Sequence, residues 1–126
     1  MSRSDESGTP WTAGALIFSG RPDPTWPLSE ATLRDLLDTW ATLDPLPLVA
    51  KEPPARLGYR GSFLRGPDGQ EWLAFGNTVT YRSAAGAESR RDVHGKFEAT
   101  LLGSAQPGTI PDDPALGVPR RGQHPE

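Results

Sequence analysis

From Gly20 to Pro27 the chain reads Gly-Arg-Pro-Asp-Pro-Thr-Trp-Pro, so Arg21, Asp23 and Trp26 each stand directly before a proline. Proline fixes its own φ and restricts the residue before it, so a guanidinium, a carboxylate and an indole share an unusually stiff loop. Arginine and tryptophan are enriched where binding energy concentrates, and rigidly held loops often carry recognition. This loop is therefore the expected ligand- or partner-binding surface. The competing structural reading is that Asp23 satisfies nearby amides or pairs with Arg21, while Trp26 closes the core.

Two further groups could carry chemistry. His94 has Asp92 two residues before it and Glu98 four residues after it, and histidine is the natural proton carrier near neutral pH. An acid–base pair of Asp23 and His94, with Arg21 orienting an anionic substrate, is the alternative, catalytic expectation. A capping or surface role for His94, with Glu98 one helical turn away, is the plainer one. The second group is Arg60, Arg65 and Arg82 with Tyr59, Phe63, Trp72 and Tyr81. Here Arg60 and Trp72 are expected to extend the partner surface, although a core position for Trp72 is the stronger expectation.

Other chemistries lack their residues. The chain has no cysteine, which excludes disulfides, thiol catalysis and thiolate-held metals. It has two histidines, His94 and His124, far apart, so no metal site is expected. Neither a Gly-x-Ser-x-Gly elbow nor a glycine-rich phosphate loop occurs, and no cofactor is expected. The 41 residues from 56 to 96 carry a charge of +3 within a chain of −3, too weak a patch to predict nucleic-acid binding.

The elements that must position these groups follow from pattern. Ala13–Ser19 is apolar and β-prone and reads as a first strand. Ser29 is a good helix N-cap, flanked by Leu28 and Leu33 at hydrophobic-staple positions. Leu33, Leu36, Leu37, Trp40 and Leu43 then form one helical stripe, which Asp44-Pro45 ends. The extended linker that follows includes a short edge strand expected at Leu46–Ala50. Tyr59–Arg65 and Glu71–Tyr81 flank Gly66-Pro-Asp-Gly69, a hairpin signal. In the second of these strands Leu73, Phe75, Val79 and Tyr81 are expected on one face, with Trp72 opposite and a bulge or bend at Gly76-Asn77. Ser83–Ala87 reads as a loop. From Ser89 or Asp92 to Leu102 both helical and strand periods fit, and helix formers with Gly103 as a stop favour a helix.

These readings predict an α+β fold in the order strand, helix, strand, strand, helix. A short, mostly antiparallel sheet would carry its helices on one face. Residues 1–10 are expected as a disordered lead, 11–105 as one domain, and 106–126 as a proline-rich disordered tail. Neither a signal-peptide pattern nor an apolar run of membrane-spanning length is present, so a soluble cytoplasmic protein is expected. The leading functional expectation is a small non-catalytic protein that binds a partner protein or small ligand. The oligomeric state is left open.

Overall fold

The architecture is that of a computed structural model, described for residues 10–18, 22–51, 57–111 and 114–118. Thr12–Ala15 (β1), Thr25–Pro27 (β2), Asp44–Pro45 (β3), Ser62–Arg65 (β4), Glu71–Phe75 (β5), Thr78–Ser83 (β6) and Gly86–Arg91 (β7) form one sheet. It is antiparallel throughout, in the order β2-β1-β4-β5-β6-β7-β3. Two helices, Glu30–Thr42 (α1) and Lys96–Gly103 (α2), complete an α+β arrangement dominated by the sheet.

The helix after Ser29 forms as its sequence predicts. The Ser29 hydroxyl accepts from the Thr32 amide at 3.2 Å, and Leu36 is fully buried. β1 is shorter than its apolar run, because the backbone beyond Ala15 pairs irregularly. Leu16 N donates to Gly61 O, Arg60 N to Leu16 O, and Gly58 N to Ile17 O. Gly58 and Gly61 take φ values of +112° and +128° there, conformations that side chains resist.

Five expectations need correction. Gly76-Asn77 is not a bulge within one long strand but the two-residue turn of a second hairpin. Both residues sit at positive φ, +61° and +65°, the geometry of the type I′ turn that matches strand twist. The turn also reverses the face assignment. Trp72 pairs with Tyr81 and Ala74 with Val79, so these four share the buried face, while Leu73, Phe75, Thr78 and Thr80 share the other. The loop expected at Ser83–Ala87 narrows to the two-residue turn Ala84-Ala85, with Ser83 in β6 and Gly86 and Ala87 in β7.

The segment 89–102 is neither all helix nor all strand. β7 runs to Arg91, and α2 starts at Lys96 after Gly95 at φ +65°. Its first turn is capped from a distance, because Asp92 accepts from the Lys96 and Phe97 amides at 3.0 and 2.9 Å. Finally, residues 106–111 and 114–118 of the proline-rich stretch enter the fold: Ile110 is buried, and Leu116 O accepts from Tyr59 N. A 3-10 turn at Pro114–Leu116 brings it there.

The core lies on the face of Trp72, Ala74 and Val79. There α1 contributes Leu36 and the partly buried Trp40, and α2 contributes Phe97, Leu101 and Leu102. Among the described residues no helix is long and apolar enough to cross a membrane.

Candidate functional site

The residues singled out for chemistry are mostly engaged in holding the fold. Asp23 Oδ1 accepts from the backbone amides of Ile17 and Phe18, both at 2.7 Å, so its carboxylate closes the turn after β1. Trp26 is 3% exposed, and its Nε1 donates to Ser104 Oγ at 2.8 Å, fastening β2 to the end of α2. Arg21 lies outside the described residues. Arg60 is buried and donates through Nη2 to Phe18 O, while its Nε has no partner among the described residues.

Trp72 is buried in a cluster of rings from three elements and the N-terminal arm. Tyr81 lies 4.5 Å away between ring centroids, Trp11 5.6 Å and Trp40 6.4 Å. Arg90 lies over the Trp40 ring at 4.2 Å and donates to the Trp40 carbonyl. His94 is exposed in the connection between β7 and α2. β1 and β7 stand four interstrand spacings apart, roughly 19 Å, and no described hydrogen bond or ion pair joins His94 to Asp23. The structure thus does not bring these two together.

Two other features stand out. The first is a groove of about 200 Å³ on the helix-free face of the sheet. Leu73, Phe75, Thr78 and Thr80 line it from β5 and β6, Ala50 and Lys51 from the segment after β3, and Gly76 from the turn. That segment is pinned across β7: Leu46 N donates to Ser89 O, and Ala50 N to Ser89 Oγ at 2.8 Å. Ser89 in turn shares a buried hydrogen bond with Thr80. Phe75 is 39% exposed, and Leu48 and Val49, directly before the lining residue Ala50, are 80% and 44% exposed.

The second feature is a polar pair under the other face. The Tyr59 hydroxyl donates to the Glu98 carboxylate, joining the approach to β4 with the first turn of α2. Burial pushes the Tyr59 hydroxyl well above its ordinary range, and the Glu98 charge adds to this. Burial also raises Glu98; the hydrogen bond from Tyr59 opposes that rise and the charge of Asp92 adds to it. The Tyr59 ring meets the Phe75 ring at 6.0 Å between centroids, so the pair adjoins the groove residue Phe75.

Sequence reasoning missed both features. The groove was detectable in principle, since reading Gly76-Asn77 as a hairpin turn puts Leu73, Phe75, Thr78 and Thr80 on one face. The Tyr59–Glu98 pair had no local signal, its members being 39 positions apart. No group of histidine and carboxylate side chains among the described residues is arranged to hold a metal ion. No protein-family model, curated protein or solved structure matches the chain.

Proposed function

We propose that this chain is a non-catalytic interaction module that receives a large apolar side chain of a partner protein in the groove on the helix-free face. The observation that carries this reading is an apolar floor, Leu73 and Phe75, left accessible beside the exposed Leu48 and Val49. Exposed apolar surface of this kind commonly marks an interaction site. At about 200 Å³ the groove is below the roughly 300–1,000 Å³ of pockets that enclose whole small molecules, which favours a single anchoring side chain.

The sheet edges favour face docking over strand addition. β2 and β3 span three and two residues and carry Pro27 and Pro45, a combination that blunts edge pairing. The engagement of Asp23, Trp26, Arg60 and Trp72 in the fold moves the expected surface from the Gly20–Trp26 loop to this groove. A cytoplasmic setting fits the lack of cysteine.

The reading is tested by titrating N-acetyl-phenylalanine amide into ¹⁵N-labelled protein. Amide shifts should concentrate at Leu73, Phe75, Gly76, Thr78 and Thr80. The groove-filling Thr78→Trp should abolish them while leaving the circular dichroism spectrum intact. Shifts that scatter over the surface, or that persist in Thr78→Trp, would remove the groove as the site.

A further inference from the structure

Resting on the groove reading, we infer that the segment it receives is acidic: a large apolar residue flanked by aspartate or glutamate. The charges on the helix-free face carry this. Lys51 lines the groove, and Arg91 stands directly across β6–β7 from the lining residue Thr78. Both are exposed, and no described carboxylate forms an ion pair with either.

The register places further charges on the same face. Arg65, paired with Glu71 at 2.9 Å, and Arg82 lie toward the far end of β4–β6. Asp44 is the cross-strand neighbour of Arg91 on β3. Among the described residues, the cations Lys51, Arg65, Arg82 and Arg91 and the carboxylates Asp44 and Glu71 lie on this face, and of these Lys51 and Arg91 stand beside the groove. A cationic face steers acidic segments in and disfavours basic ones.

A nucleic acid satisfies the same charges less well. Single-strand recognition on a sheet uses several accessible rings, and here Phe75 is exposed while Phe63 is buried beneath Arg65 at 4.0 Å. One apolar slot with two flanking cations fits a peptide side chain between carboxylates.

The test titrates the full chain, by ¹⁵N shift mapping, with three acetylated peptides: Asp-Glu-Phe-Asp-Glu, Ser-Gly-Phe-Ser-Gly and Lys-Lys-Phe-Lys-Lys. A short oligothymidylate serves as a fourth probe. The acidic peptide should bind at Leu73, Phe75 and Thr78 roughly three- to tenfold tighter than the neutral one, as two solvent-exposed ion pairs allow. That preference should fade with added salt and pass to the basic peptide in the double variant Lys51→Glu/Arg91→Glu. Equal affinity for the acidic and neutral peptides would overturn the charge inference and leave the groove reading standing. No shift at the groove with any phenylalanine peptide would overturn both. Tighter binding of oligothymidylate at these residues would also overturn the inference, in favour of nucleic acid.

Discussion

The Tyr59 hydroxyl donates to the Glu98 carboxylate, tying the segment before β4 to the first turn of α2. Both groups are raised above their ordinary ranges, chiefly by burial, so each keeps its proton in the folded protein at pH values where the unfolded chain would lose it. Folding therefore takes up a proton, and stability must fall as pH rises through each window. The Glu98 window begins near the ordinary value of 4.5 and ends at the raised folded one. The Tyr59 window begins near 10.

Denaturant unfolding across pH checks this. Wild type should lose stability on rising from about pH 4.5, and Glu98→Gln should flatten that limb. Tyr59→Phe should remove the alkaline limb. It should also cost about 1–3 kcal/mol near neutral pH by leaving a mostly buried carboxylate without its donor.

Trp26, expected in a stiff loop, lies on strand β2 and is structural. Truncating this buried indole opens a cavity and leaves Ser104 without its donor, so Trp26→Ala should destabilise by about 3–5 kcal/mol. Asp23→Ala strands two amides and should cost about 1–3 kcal/mol. Thermal unfolding measures both, and a near-zero change in Trp26→Ala would return the indole to a surface role.

Asp92 starts α2. It is buried and accepts from two amides of the first turn, while Gly95 offers no side chain for capping. Asp92→Ala should cost about 1–2 kcal/mol, with hydrogen exchange accelerated first at Lys96 and Phe97. Uniform acceleration across the sheet would argue against a local cap.

Asn77 holds a left-handed turn and donates from Nδ2 to Val93 O at 2.7 Å. Asn77→Gly loses only that hydrogen bond, whereas Asn77→Ala also pays for positive φ. Alanine should be less stable than glycine by about 1–2 kcal/mol in parallel denaturant titrations.

Helix α1 and the first hairpin were legible because their signals are local: a serine cap with its leucine staple, and Pro67-Asp68 at a turn. The second hairpin was hidden by the short span between Phe75 and Thr78, where a two-residue turn mimics a bulge. Missing it inverted the faces of β5 relative to β6, and with them the position of the groove. β7 resisted reading because Glu88, Arg90 and Arg91 give it no apolar stripe; the sheet holds it through backbone pairing with β6. Asp23 and Trp26 were distinctive in sequence for the reason that they are distinctive in structure, namely fixed geometry, but that geometry serves the fold. The Tyr59–Glu98 pair depends on burial from distant segments, which no local pattern encodes.

The central claim is that the groove between Ala50, Leu73 and Thr78 holds a partner's apolar side chain. Intermolecular nuclear Overhauser effects between methyl-labelled protein and N-acetyl-phenylalanine amide test it most directly. The account predicts cross-peaks from the ligand ring to the methyls of Leu73, Thr78 and Thr80, lost in Thr78→Trp. Ring cross-peaks confined to methyls of the helix-bearing side, such as Leu33 or Leu37, would contradict it.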